Sequence, residues 1–270
     1  MGMSGKKITV KHVMKKKNVE KIAMVTAYDY LTARIVDEAG VDIILVGDSV
    51  GMVLHGYDST HPVDMDMMIL HVSSVARAKP RALVVGDMPF MSYETSVEDA
   101  LRNAGRLIKA GADAVKLEGG AERAETVRAL VEAGIPVMGH IGLTPQRSLV
   151  IGGYKKRGVA RGEWDALIND AAELEKAGAF AIVIEFTAAD LAAEITRKIS
   201  IPTICIGSGP HCDGQVLVIT DLLGLGETIP PFAKKYADLR EVVRSAVAKY
   251  VEEVKKGVFP SREHYFVSES

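Results

Sequence analysis

The sequence predicts an α/β chain of the (β/α)8 TIM-barrel class, one domain over 1–270 with an extra helix at its start. Three observations lead there. A short pattern recurs: "EAGVDIILVGD" (38–48), "KAGADAVKLEG" (109–119), "EAGIPVMGHIG" (132–142) and "KAGAFAIVIEF" (176–186) each join a helix tail to a glycine and then to an apolar run. Runs of this kind read as parallel strands buried on both faces. Eight candidate strands occur, mostly separated by helical segments, and βα units in that number close into a barrel. An open doubly wound sheet is the alternative. With 270 residues and 48% hydrophobic content, the chain can bury a large core without disulfides.

The elements follow in order. Lysines crowd the start (Lys6, Lys7, Lys11, Lys15, Lys16, Lys17, Lys21). A helix is expected at about 8–18, outside the barrel. Its lysines read as a solvated face, with a phosphate-binding arm as the alternative. "IAMVTAYD" (22–29) is the first strand and 38–48 holds the second. "ALVVGDMPF" (82–90) is the third, and the stretches at 109–119, 132–142 and 176–186 supply the fourth to sixth. "PTICIGSG" (202–209) and "GQVLVITDLLG" (214–224) complete the set. Gly40, Gly111, Gly134 and Gly178 suit the left-handed residue that closes a helix. "SVEDALRNAGRLIKAG" is the clearest helix. Ser96 can cap it, Asp99 stands at capping-box spacing, and Val97, Leu101, Ala104 and Ile108 form one apolar face. A last helix at 236–256 completes the barrel, and 261–270 is read as a flexible tail.

Composition excludes several classes. A net charge of −2, from 33 basic and 35 acidic residues, gives no global field for nucleic acid or an anionic membrane. No apolar run is long enough for a membrane span, and the first residues lack the apolar core of a secretory signal. Cys205 and Cys212 fit neither a redox nor a zinc spacing, so a reducing, cytoplasmic setting is expected. His55, His61 and His71 show no H-x-x-x-H spacing and are not read as zinc ligands. The methionines of "MDMMIL" read as core filler. "IGSG" (206–209) presents either backbone N–H groups to a phosphate or a simple turn.

The strand ends carry the chemistry. Asp48, Asp87, Lys116 with Glu118, His140 and Glu185 each stand at the carboxyl end of one of strands two to six. That end is where barrel active sites are built, and neighbouring strands lie about 4.8 Å apart. The side chains should therefore meet in one polar cup. Crowded carboxylates repel one another unless cations offset them. Lys116 is one such cation. A hard divalent ion such as Mg2+, held by Asp and Glu oxygens, is another. Taken singly, Asp48 or Asp87 could be a cap, His140 a bonded core residue, and Lys116–Glu118 a structural pair.

"TAYDY", "LVGDSVGMVLHGYDST", "GDMPFMSY", "VKLEGG", "GHIGLTPQ", "IGGYK" and "IGSGPHCDGQVLV" together resemble the 3-methyl-2-oxobutanoate (ketopantoate) hydroxymethyltransferase family, from about Thr9 to Pro260. The resemblance implies a Mg2+-dependent barrel in pantothenate and coenzyme A synthesis. It implies transfer of a one-carbon unit from 5,10-methylenetetrahydrofolate to 3-methyl-2-oxobutanoate, giving 2-dehydropantoate and tetrahydrofolate. It implies Asp48, Asp87 and Glu118 about the metal, and Asp48, Ser49, Asp87, Lys116 and His140 at the oxo acid. Glu185 becomes the proton acceptor. A homo-oligomer, decameric in the family, is also implied. Asp64 and Leu70 depart from the pattern, which has Thr and an aromatic there. Two other enzyme readings remain: a Mg2+-dependent 2-oxo-acid lyase of the phosphoenolpyruvate mutase type, and an aldolase using Lys116 as a Schiff base. A non-catalytic ligand-binding barrel is the third.

Overall fold

The computed structural model describes residues 6–268. The eight expected strands all form: β1 (Ile22–Thr26), β2 (Ile43–Val46), β3 (Leu83–Asp87), β4 (Ala114–Glu118), β5 (Val137–Gly142), β6 (Ala181–Glu185), β7 (Thr203–Ile206) and β8 (Gly214–Leu217). They pair in parallel, each with its neighbour in sequence, and β8 returns to β1. The sheet is closed, which rules out the doubly wound alternative. β2, β3, β4 and β5 are buried along their whole length, as strands covered on both faces must be.

The helices are α1 (Val10–Met14), α2 (Tyr30–Glu38), α3 (Val50–Val53), α4 (Met65–Arg77), α5 (Val97–Ala110), α6 (Ala124–Glu132), α7 (Ser148–Ile151), α8 (Trp164–Lys176), α9 (Ala189–Lys198), α10 (Ile219–Leu223) and α11 (Leu239–Lys255). Every connection from β1 to β7 contains helix; β7 reaches β8 through a helix-free loop. Gly40, Gly111, Gly134 and Gly178 all take positive φ, as their places after helices require. At Gly111 a side chain is excluded twice, by φ +111° and by Ala76 Cβ, 2.4 Å from where a Cβ would stand.

α5 starts as expected, with the Asp99 N–H donating to Ser96 Oγ. The Asp99 carboxylate does not close the capping box; it accepts instead from Thr95 and Arg102. Its inner face also differs. Ala100, Ala104 and Leu107 are buried, whereas Val97, Leu101 and Ile108 are half-buried at its edges. Small residues let α5 sit close to the sheet, and the larger ones fill the margins.

The lysine-rich start is only in part the solvated face expected: Lys6, Lys11 and Lys15 are exposed, whereas Lys7, Lys16 and Lys17 pair with acids of the barrel. Asp42, Asp113 and Asp213 each stand one residue before an even-numbered strand. Each carboxylate accepts a backbone N–H from the neighbouring odd strand: Ala23 (2.9 Å), Val84 (2.8 Å) and Thr203 (2.9 Å). Each also pairs with a lysine from the start of the chain: Lys16–Asp42 at 2.7 Å, Lys7–Asp113 at 2.7 Å and Lys17–Asp213 at 2.9 Å. The N-terminal segment thus latches the end of the barrel opposite the strand-end carboxylates. α1 itself is shorter than the helix expected at 8–18.

Cys205 and Cys212 are disulfide-bonded, a pairing that the expectation of a reducing setting did not include. Their spacing of seven matches no motif, but the β7–β8 loop folds back and sets their Cα atoms 5.8 Å apart. The chain divides into two compact units, the first ending at Ile219 and the second starting at Thr220. The first holds all eight strands. The second holds α11, within the expected 236–256, and no residue of α11 is buried. Of the tail expected at 261–270, Arg262–His264 form a short 3-10 turn, and the last two residues lie outside the described ones. Among the described residues no helix is long and apolar enough to cross a membrane.

Candidate active site

The register of the barrel assembles the strand-end residues. Asp87 on β3 stands level with Lys116 on β4, Glu118 with His140 on β5, and Gly142 with Glu185 on β6. Asp48 follows β2 by two residues, and its backbone N–H donates to Asp87 Oδ2 at 3.2 Å. Asp48, Asp87, Lys116, Glu118 and His140 are all 5% exposed or less. Glu185 is the more open member, its side chain 17% exposed.

Lys116 is the electrostatic centre. Its Nζ lies 2.9 Å from Asp87 Oδ1 and donates to His140 Nδ1 at 3.3 Å. Burial alone would lower its pKa. Asp87, then Glu118 and Asp48, outweigh burial and raise it above the ordinary lysine value. The amine stays protonated, which argues against a Schiff-base nucleophile. An ammonium can only donate, so His140 Nδ1 must accept, and the neutral ring carries its proton on Nε2. Burial, followed by the charge of Lys116, holds His140 well below the usual imidazole range. Its Nε2 points toward Glu185, 3.2 Å from Oε2, though not aligned as a hydrogen bond.

Three carboxyls are pushed upward. Burial and then the charge of Asp87 raise Asp48 to about 7. Burial raises Glu185 to about 7, with Lys116 opposing. Burial and then Asp48 raise Glu118 well above the carboxylate range. The pattern is that of a site short of positive charge: three buried acids and the half-buried Glu185 face one ammonium. Oxygen donors with no thiolate among them suit a hard ion. The fit is partial, however. Among the described residues no group of three or more His, Cys, Asp or Glu side chains is arranged to hold a metal. Glu118 Oε2 is occupied by the Gln146 N–H at 3.0 Å. The protein therefore offers the two neighbouring aspartates, and other ligands must come from substrate or water.

The loop residues missing from the strand-end reading are Gln146, Tyr93 and Tyr28. Gln146, 2% exposed, donates from Nε2 to Asp48 Oδ2 (2.8 Å) and to the Met88 carbonyl (3.0 Å). The Tyr93 hydroxyl donates to Gln146 Oε1 at 2.6 Å and accepts from the Glu118 N–H at 3.2 Å. Tyr28 OH lies 2.9 Å from Ser49 Oγ. Gln146 and Tyr93 close the motif blocks "GHIGLTPQ" and "GDMPFMSY", and Tyr28 stands in the middle of "TAYDY", but all three lie beyond the strands, where alternation says nothing about direction.

The backbone around Glu185 is constrained. Phe186 takes φ +45°, which breaks the extended run directly after Glu185. Gly142, at φ +91°, lies so close that a Cβ there would stand 2.3 Å from the Glu185 carbonyl oxygen. Ser208, from "IGSG", donates to the Ile184 carbonyl (2.8 Å) and accepts from the Thr187 N–H (2.9 Å). No helix begins between β7 and β8, so this segment is not a strand-to-helix turn, and through Ser208 it braces β6. Asp64, the departure from the family pattern, caps α4 by accepting from the Met67 N–H at 2.9 Å. Leu70 is exposed. A groove of about 670 Å³ lined by Lys7, Asp37, Lys79 and Arg81 contains none of these groups.

The sequence profile of the ketopantoate hydroxymethyltransferase family matches residues 7–262. A 3-methyl-2-oxobutanoate hydroxymethyltransferase from Staphylothermus marinus is 69% identical over 263 residues, covering 97% of this chain and 97% of that protein. One from Hyperthermus butylicus is 61% identical over 266 residues, covering 98% and 92%. Among solved structures, a phosphonopyruvate hydrolase complex with oxalate and Mg2+ superposes with a TM-score of 0.62 at 12% identity, covering 96% of this chain and 92% of that one. At that identity the likeness is one of fold.

Proposed function

The chain belongs to the ketopantoate hydroxymethyltransferase family, and on that premise we propose that it moves a one-carbon unit from 5,10-methylenetetrahydrofolate to 3-methyl-2-oxobutanoate, with Glu185 as the proton acceptor. The high identity to its relatives favours this reading over a lyase or mutase, whose likeness is confined to the fold. Asp48 and Asp87 would hold Mg2+, with Glu118 in its surroundings. When bound, the ion supplies Lewis-acid stabilisation of charge on the oxo acid's oxygens. Lys116 and Ser49 would fix the substrate carboxylate, Lys116 because it keeps its charge in a buried site. Water would release the one-carbon unit from the donor at the formaldehyde level, with tetrahydrofolate leaving. Glu185 would take the proton from C3, the resulting carbanion would add to that carbon, and the alkoxide so formed would take a proton back to become the hydroxymethyl group.

The observation that carries this is the position of Glu185: a carboxyl raised to about 7 by burial, more open than its neighbours, beside an imidazole Nε2. A carboxylate so raised is a stronger base than one in water. Glu185→Gln is expected to abolish exchange of the C3 proton with solvent deuterium, by at least about 10²-fold, while oxo-acid binding survives. Exchange at the wild-type rate would remove Glu185 from the role. Tetrahydrofolate release, assayed with and without Mg2+, tests the donor and the metal.

A cytoplasmic location and a homo-oligomer belong to the same reading. Disulfides occur in intracellular proteins of hyperthermophilic archaea, so the Cys205–Cys212 bond is compatible with such a location. Assembly is supported by α11, whose Val243, Val247, Tyr250 and Val254 recur at helical spacing and stay exposed. Sedimentation of the full chain measures it.

A further inference from the structure

We propose that His55 and His71 form a two-imidazole site for a borderline divalent cation of the Zn2+, Ni2+ or Cu2+ type, separate from the carboxylate cup. Their sixteen-residue separation hides the pair from any motif search, but the fold brings the two Nε2 atoms to 3.0 Å. His71 lies on α4 and His55 just after α3. Nδ1 of His71 is 2.7 Å from the Tyr28 carbonyl oxygen. A carbonyl only accepts, so Nδ1 carries the proton and the neutral ring keeps its lone pair on Nε2. This is how protein carbonyls orient imidazoles that bind metals.

His55 completes the arrangement. Its ring stacks on Tyr57 (centroids 6.0 Å apart, planes at 26°) and meets His71 edge-on at 5.3 Å. In the contact as it stands, the His55 Nε2–H must donate to His71 Nε2. If that proton moves to Nδ1, two lone pairs converge on one point. Metal–nitrogen bonds of about 2.0–2.1 Å need the two nitrogens to separate by a few tenths of an ångström. His55 is exposed and can yield that much; His71 is half-buried and held. Paired imidazoles select borderline transition ions and disfavour Mg2+, which takes oxygen ligands. With no third protein ligand among the described residues, water or a small anion fills the remaining positions.

The site is connected to the substrate seat. Tyr28, whose carbonyl orients His71, also places its hydroxyl 2.9 Å from Ser49 Oγ. A cation on the pair would fix the ring that holds this backbone, and so affect how Ser49 is presented.

The test is Zn2+ calorimetry on the full chain saturated with Mg2+, comparing wild type with His55→Gln. One equivalent should bind to the wild type. Loss of one of its two ligands should weaken that affinity at least about tenfold. Cu2+ bound to the wild type should show paramagnetic-resonance hyperfine coupling to two nitrogens, reduced to one in His55→Gln. Unchanged thermal stability of metal-free His55→Gln establishes that its fold is intact. No stoichiometric Zn2+ uptake, equal affinity in the two proteins, or oxygen-only coupling overturns the proposal.

Discussion

At the scale of the residue, one side chain's value comes from what surrounds it. Glu185 is raised to about 7 because it is buried, while Lys116 pulls it back toward ionisation. A base works only when ionised. The rate of C3 proton exchange should therefore climb about tenfold per pH unit below 7 and level off above it. A flat profile from about pH 5 to 8 would mean that Glu185 titrates elsewhere or is not the base. Gln146 shows the same dependence on surroundings from outside the strands. It is hydrogen-bonded to Asp48 through Nε2 and to Glu118 through its backbone N–H. Gln146→Ala leaves Asp48 without that donor and Tyr93 without its acceptor. Loss of such support typically weakens a metal site about 10–100-fold. Mg2+ titration, by calorimetry or by activation, should show that loss, and unchanged affinity would place the metal away from Asp48.

Elements explain why the fold was legible in sequence and the site only partly so. The strands announce themselves because a buried parallel strand must be apolar along its length, and "IILV" and "AIVI" are. The residues at their carboxyl ends were legible for the same reason, since a charge after such a run has few places to point. Gln146, Tyr93 and Tyr28 were not legible as site residues, because a loop has no period from which to read direction. The pairing of Lys7, Lys16 and Lys17 was not legible because their partners Asp113, Asp42 and Asp213 are scattered over the sequence and converge only when the barrel closes. That latch is testable. Asp213 is buried and Lys17 half-buried, with side chains 5% and 9% exposed, and Asp213 also accepts from the Asn18 and Thr203 N–H groups. Lys17→Met leaves a buried carboxylate short of its cation, which costs about 3–5 kcal/mol. For a chain of this size that lowers the melting temperature by roughly 10 °C. Burial tends to raise Asp213, but its hydrogen bonds from Thr203, Lys17 and Asn18 prevail and lower it. The contribution of Asp213 is thus present above the ordinary aspartate value and lost as pH falls through its own lower one. The difference between wild type and Lys17→Met should shrink in strong acid.

For the whole molecule, the two ends of the barrel divide the labour: carboxylates and base at one mouth, the lysine latch at the other. Such a division predicts that Lys17→Met changes melting temperature with little effect on exchange rate, whereas Glu185→Gln does the reverse. The β7–β8 connection is the exception to the helical pattern. It lacks the helix that packs every earlier connection against the sheet, and the Cys205–Cys212 bond closes it instead. The same loop carries Ser208, which bonds to the chain at Ile184, one residue before Glu185, and at Thr187, two residues after it. Closing so short a loop stabilises mainly by restricting the unfolded chain, by roughly 2 kcal/mol. Reduction, or Cys205→Ala, should therefore lower the melting temperature by about 5 °C. Because Ser208 depends on that loop for its position, the C3 exchange rate should fall as well, with Mg2+ affinity unchanged, since the bonds of Ser208 go to Ile184 and Thr187 and not to Asp48 or Asp87. Thermal scans and exchange measurements with and without a reductant decide it. A melting temperature indifferent to reductant would mean that the loop is held by its hydrogen bonds alone.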